Sequence, residues 1–355
     1  MDSLTQVALG AAVGHAAAGH TLGRRALLLG GIAGTLPDLD ILAYPFLDPA
    51  GELRFHRGLT HGLLFAFWAG PLFGALAWRF ARWRGLPEAA GAGTWTPYAA
   101  VFFWGFLTHA PLDAFTVYGT QLLAPFLNTP YAVSSVFIID PLVTVPLLIG
   151  LAVALWAGSR PVGRKAVAVA LAVMTVYLGW SVGAQAQARS TVEAAYAARG
   201  VVPERMLIGA GPLTTLWWRG IAAHGGQVEA FSVHLLDPPE AVEFGPAMQP
   251  ADLPPALAES RTGQTLDWFS RGWLVRVPDA ASGPGEVVVA DPRFGRVGQG
   301  EDAPFVFSWT IEEAPPFAFE QRSVEGVSAD VFGEILSRIR FRNPASGAGT
   351  TDGRP

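Results

Sequence analysis

The sequence predicts a mainly α-helical, polytopic membrane domain followed by a smaller α+β domain with an antiparallel sheet, placed outside the cytoplasm. Three observations carry this. Hydrophobic residues make up 51% of the 355 positions and charged ones 15%, where a soluble domain carries about 25% charged. Apolar runs close to the roughly 20 residues that span a bilayer as helix crowd the part before residue 188. After it, short β-branched stretches broken by Pro and Gly take over. The length exceeds one average domain, and the expected division is 1–187 membrane, 188–342 α+β, and a Gly/Ser/Thr/Pro-rich disordered tail over 343–355.

Two short runs come first, 4–18 and 26–36, each marginal for a full crossing and compatible with a tilted or re-entrant path. Four longer ones follow at 59–78, 97–115, 136–157 and 166–186. Basic residues gather at Arg24/Arg25, at Arg79/Arg82/Arg84 and at Arg160/Arg164/Lys165. By the positive-inside rule these loops are cytoplasmic, which places everything after Gln187 outside. Met1-Asp2-Ser3 runs into apolar sequence with no basic leader, so no cleavable signal peptide is expected. Strands are expected at 228–236, 273–277, 286–290 and 305–311, and a helix at 329–340.

Charge and composition exclude several classes. Ten Lys+Arg and 8 Asp+Glu precede residue 188, and 14 and 21 follow, so the halves carry +2 and −7 of the net −5. Neither half has the basic excess that nucleic-acid binding needs. With 0 Cys, thiolate metal sites, disulfides and cysteine nucleophiles are out. No G-x-S-x-G elbow, P-loop or dinucleotide fingerprint occurs.

What remains is a set of imidazoles and carboxylates. Five of the 7 histidines fall within the first 109 residues, interleaved with Asp38, Asp40 and Asp113. Ionisable groups at membrane depth are costly unless paired or ligated. In His109-Ala-Pro-Leu-Asp113 the spacing of four stacks imidazole and carboxylate on one helix face, able to share a cation or simply to tie helices together. In His56-Arg57-Gly58-Leu59-Thr60-His61 the spacing of five aligns nothing on a helix, so both histidines meet only if Gly58 lets the loop fold back. Arg57 suits a phosphate or carboxylate clamp, or a lipid headgroup. In Pro37-Asp38-Leu39-Asp40 one carboxylate can ligate while the other caps a helix or orients a histidine.

His15 is a further ligand candidate, although it sits nearer the Arg24 loop if the first run crosses; His20 reads as solvated. Asp140, beside Pro141, is either a supporting polar partner or a helix breaker. Tyr118, Gly119 and Thr120 can touch substrate or form a plain turn, and His224 and His234 read as ordinary strand histidines. A set of imidazoles and carboxylates suits Zn²⁺, with Mn²⁺, Fe²⁺ or Ni²⁺ as alternatives, one or two ions in all.

The stretches MDSLTQVALGAAVGH, GGIAGTLPDLD, FHRGLTHGLLF, LTHAPLDAFTVYGTQLLAPF and IIDPLVTVPLL, with WFSRGWLVRV and DPRFG later on, resemble the YdjM-type family of predicted membrane-bound, metal-dependent hydrolases of bacteria. The resemblance implies a metal site drawn from His56, His61, His109, Asp113 and the Asp38/Asp40 pair, with His15 where the family often carries glutamate. It implies a reaction class and no substrate. A looser likeness in ligand order, early His, Asp, His, then H-x-x-x-D, links the chain to zinc-dependent phospholipase C and related single-strand nucleases.

The expectation is therefore a membrane hydrolase acting on an ester or phosphoester, lipid-derived or a small molecule, with metal at His15, Asp38, His56, His61, His109 and Asp113 and with Arg57, Asp40 and Asp140 assisting. The competing class is a non-enzymatic metal or proton carrier.

Overall fold

The computed structural model describes residues 1–86, 93–157, 160–277, 283–297 and 303–322. The expected helix at 329–340 and the tail lie outside the described residues.

Helix α1 (Ser3–Leu22) starts at Asp2, whose carboxylate caps Thr5 N at 3.0 Å. It ends at Gly23, whose φ of 58° turns the chain straight into α2 (Arg24–Thr35). The two fold back on each other in backbone contact. A Cβ on Gly10 would stand 2.3 Å from the Gly30 carbonyl oxygen, and one on Gly34 2.2 Å from that of Gln6. Small residues permit this approach, as they do between membrane helices generally. Both short runs are therefore longer than their apolar cores suggest: α1 has 20 residues, and α2 continues as a 3₁₀ segment, Leu36–Phe46.

A short α3 (Pro49–Phe55), capped by Asp48, and a 3₁₀ turn, Leu59–His61, lead into α4 (Leu63–Trp83). Then come α5 (Thr96–Ala114), α6 (Pro141–Ala157) and α7 (Pro161–Ala198). Among the described residues, Arg24–Phe46, Leu63–Trp83 and Pro161–Ala198 are 3 helical segments long and apolar enough to cross a membrane. Helix α6 begins at Pro141 rather than at 136 because proline suits the first turn and the Asp140 carboxylate caps Leu142 N at 2.9 Å. The segment 116–140 is instead an irregular strap, tied down by Gln121 N to Arg57 O at 3.0 Å and Val133 N to Ala114 O at 2.7 Å.

The basic clusters meet at one end of the helices, where Arg24 donates to the Leu155 carbonyl at 2.6 Å. Exposed Trp83 and Trp156 carry Arg84 and Arg160 over their rings there, the usual company of a membrane interface. The opposite end holds Asp38, Asp40, His56, His61, His109 and Asp113.

With 38 residues, α7 runs for about 57 Å. Its first half exposes Val169, Val173 and Val176, while Ala188, Val192 and Tyr196 near its end pack against the β region. Among the described residues, that region has 2 four-stranded antiparallel sheets in simple sequential order. The first joins β1 (Arg205–Ala210), β2 (Trp217–His224), β3 (Gln227–His234) and β4 (Glu243–Met248). Gly225 and Gly226, at φ 55° and 75°, make the tight β2–β3 turn. Helices α8 (Pro255–Ala258) and α9 (Arg261–Ser270) lead to the second sheet, β5 (Val275–Arg276), β6 (Glu286–Ala290), β7 (Ser308–Glu312) and β8 (Phe319–Gln321). One apolar cluster joins Ala50 and Leu53 of α3 to Leu266, Phe269, Trp309 and Ile311, so the second sheet is seated on the acidic end of the helices.

Candidate metal centre

Three segments far apart in sequence deliver Asp38, His61, His109 and Asp113 to one point, their ligand atoms all within 4.8 Å of one another. Asp38 lies in the 3₁₀ continuation of α2, His61 in the turn before α4, and His109 and Asp113 on the last turns of α5. The helical spacing of four sets the last two on one face. His61, His109 and Asp113 are fully buried, whereas the Asp38 side chain keeps 24% of its exposure.

The separations have the scale of a coordination shell. His61 Nε2 stands 3.2 Å from Asp38 Oδ1, 3.1 Å from His109 Nε2 and 3.4 Å from Asp113 Oδ2. His109 Nε2 is 3.4 Å from Asp38 Oδ1 and 3.9 Å from Asp113 Oδ2. An ion bonded to N and O at about 2.0–2.2 Å centres a tetrahedron with edges of about 3.3–3.6 Å.

The surrounding hydrogen bonds fix which atoms point inward. His109 Nδ1 lies 3.0 Å from the Gly34 carbonyl, which can only accept, so Nδ1 carries the proton and Nε2 the lone pair. The glycine contacts between α1 and α2 place that carbonyl. His61 Nδ1 donates to Thr60 Oγ1 at 3.1 Å, and that hydroxyl donates to Asp40 Oδ2 at 3.4 Å. Two imidazole lone pairs thus face each other beside two carboxylates, and Asp113 Oδ2, buried, has no hydrogen-bond partner. A cation among the four atoms converts this repulsion into ligation, and the donor set fits a divalent metal.

Asp113 is held from its other oxygen, which takes the Met1 amine and Gln6 Nε2, the latter at 2.8 Å. Gln6 also donates to the His109 carbonyl at 3.2 Å. Sequence reasoning passed over Gln6, Thr60 and Thr116. The signal for Gln6 was available: it is a side-chain amide at membrane depth in an otherwise small and apolar helix.

The remaining expected residues are placed differently. His56 is not among the four. The positive φ of Arg57, 58°, turns the loop so that His56 points to Asp40, Nδ1 to Oδ1 at 2.9 Å, one layer out. Asp40 accepts from His56, Arg57 N at 3.0 Å and Thr60, and so braces the loop. Arg57 sets Nε 3.2 Å from Asp113 Oδ2, off the hydrogen-bond line, donates to Thr116 Oγ1 at 3.1 Å and lies over the Tyr118 ring at 4.7 Å. Burial pushes the Tyr118 phenol above its ordinary value, so it stays neutral.

His15 as a ligand is corrected. It is buried on α1, nine residues beyond Gln6, about 13 Å of helix rise toward the arginine end. Asp140 is corrected too: it caps α6 and accepts from Tyr177 at 2.9 Å, with no contact to the four ligands. His224 pairs with Glu229 at 3.2 Å in the first sheet.

Residues 1–188 match the model of the family described as YdjM inner membrane protein. No curated protein and no solved structure matches the chain.

Proposed function

The chain belongs to the YdjM inner membrane protein family, and from that premise and the geometry above we propose that it is a membrane-bound, metal-dependent hydrolase of an ester or phosphoester. The observation that carries this reading is the convergence of two imidazole lone pairs and two carboxylates at coordination distances beside a buried arginine. When bound, a divalent ion supplies a water of lowered pKa and polarises the oxygen of the scissile group.

The chain's own residues supply the rest. Asp38, His61, His109 and Asp113 would hold the ion. Asp38, partly exposed, marks the side from which substrate and water arrive. Four protein donors leave room for water when the ion accepts five or six ligands, as Mn²⁺ and Fe²⁺ do readily and Zn²⁺ does in its expanded state. Arg57 binds the anionic oxygens of substrate. His56, oriented through Nδ1 by Asp40, leaves Nε2 to hold or pass a proton. The basic end of the helices faces the cytoplasm, and the two sheets with the metal centre face the periplasm.

The test uses the full chain in detergent with bis(p-nitrophenyl) phosphate and p-nitrophenyl esters as probes. Turnover that a chelator abolishes, that Zn²⁺, Mn²⁺ or Fe²⁺ restores, and that His61→Ala lowers by more than about 100-fold is the expected result. Turnover indifferent to the chelator, or equal in His61→Ala, overturns the reading.

A further inference from the structure

A cavity of about 810 Å³ lies between the metal centre and the two sheets, toward the upper end of the range for small-molecule sites, about 300–1,000 Å³. His56 and Arg57 line its metal end, while Phe231 and Met248 of the first sheet and Phe305 and Phe307 beside the second line its walls. Its surface is therefore largely apolar, yet arginines enter it.

Those arginines are unequally matched. Arg293 holds the Asp291 carboxylate through Nε at 2.9 Å, and its buried Nη1 has no hydrogen-bond partner. Arg57 faces Asp113, and its Nε likewise lacks one. Arg219, on β2, lines the same cavity and lies 5.8 Å from the Phe137 ring. Among the described residues it makes no hydrogen bond and no ion pair. Burial pushes its guanidinium down to about 10, so it stays charged at neutral pH. Glu243, the carboxylate on the same wall, accepts from Ser232 at 3.3 Å. Arg219 is half-buried at the cavity wall, and its guanidinium meets no counter-ion among the described residues, so an anion in the cavity would pair with it.

We propose that this cavity is a binding chamber for an anionic amphiphile, an apolar chain carrying one anionic oxygen group, with Arg219 as counter-ion of that group. The apolar walls take the chain, and the Arg219 guanidinium takes the oxygens. Because the chamber ends at His56 and Arg57, it presents its occupant to the metal centre. As a substrate chamber it rests on the hydrolase reading; as a binding site it does not.

Native mass spectrometry of the full chain in a non-ionic detergent tests this, with hexadecyl phosphate, hexadecanol and inorganic phosphate as probes. Wild type is expected to retain one hexadecyl phosphate and neither of the other two at equal concentration. Arg219→Gln is expected to weaken retention by at least about tenfold, and Arg219→Lys, which keeps the charge, to restore most of it. His109→Ala is expected to lose metal and keep the probe, which separates the chamber from hydrolysis. Equal retention of hexadecanol, equal retention of inorganic phosphate, undiminished binding by Arg219→Gln, or loss of the probe in His109→Ala overturns the proposal. The three-probe comparison on wild type needs no variant to fold.

Discussion

Two clusters of acids and histidines in this molecule look alike in composition and differ in how they are satisfied. In the β region, Glu229 accepts from Tyr196 Oη at 3.0 Å, from Arg199 at 2.9 and 3.1 Å and from His224 at 3.2 Å. All four of these donors meet the one carboxylate. At the acidic end of the helices, His61 and His109 turn lone pairs toward each other and Asp113 Oδ2 goes without a partner. The first cluster is complete as it stands and ties α7 to the sheet. The second leaves a buried carboxylate oxygen and two facing imidazole nitrogens that a cation could satisfy. Polar satisfaction, rather than residue type, separates a structural ion network from a functional site.

The comparison breaks most readily at a ligand. Asp113→Asn keeps the shape and removes a charge; it is expected to lower hydrolytic turnover by more than about 100-fold and to abolish the rise in melting temperature that added divalent metal gives the wild type. Both are read in one titration of activity and thermal unfolding against metal. One layer out, Asp40→Asn leaves all four ligands in place and loosens the loop that aims His61. A loss of about 10–100-fold in metal affinity by competition with a chelator is expected.

Glu229→Gln is the counterpart in the other cluster. It is expected to lower stability by about 1–3 kcal/mol in denaturant unfolding while metal content stays at the wild-type level. The smallest effect sharpens the same contrast through pH. Burial alone would raise the Glu229 carboxyl, but the bonds from Arg199, His224 and Tyr196 outweigh it and hold the group below its ordinary 4.5. A depressed folded value means that the stabilisation is fully present above the ordinary value and is lost as pH falls through the folded one. The gap in melting temperature between wild type and Glu229→Gln is therefore expected to be constant above about pH 4.5 and to shrink below it.

Much of the site was legible because it rests on local periodicity. H-x-x-x-D on an apolar helix fixes a shared face whatever the tertiary structure, and acids inside apolar runs mark themselves by their cost. The choice within the histidine pair was not legible. Asp38 was placed among the ligands with Asp40 assisting, as the structure has them, but His61 rather than His56 depends on a 3₁₀ turn and on the positive φ of Arg57, neither of which has a periodic signature. His15 misled because an imidazole in an apolar helix carries the same signal at any depth; its nearness to the Arg24 loop was visible if the first run crossed, and the close pairing of α1 with α2 sets it there.

In the β region, β6 and the cores of β3 and β7 fall where alternating and β-branched runs place them. Strands β1, β2 and β4 lacked such runs: β2 is Trp-Trp-Arg-Gly-Ile-Ala-Ala-His, and it forms because β1 and β3 flank it in register over its length. Tertiary pairing overrides propensity there. The same pairing brings Arg219 to the cavity wall, which nothing in its local sequence announces.

Metal analysis of the purified, detergent-solubilised chain bears most directly on the central claim that Asp38, His61, His109 and Asp113 enclose a cation. The account predicts a stoichiometric divalent metal in the wild type, lost in both His109→Ala and Asp113→Ala and retained in Glu229→Gln. Wild-type protein that stays metal-free after incubation with Zn²⁺, Mn²⁺ and Fe²⁺, or metal content unchanged in both ligand variants, would contradict it and leave a protonated imidazole, not a metal ion, between the two histidines.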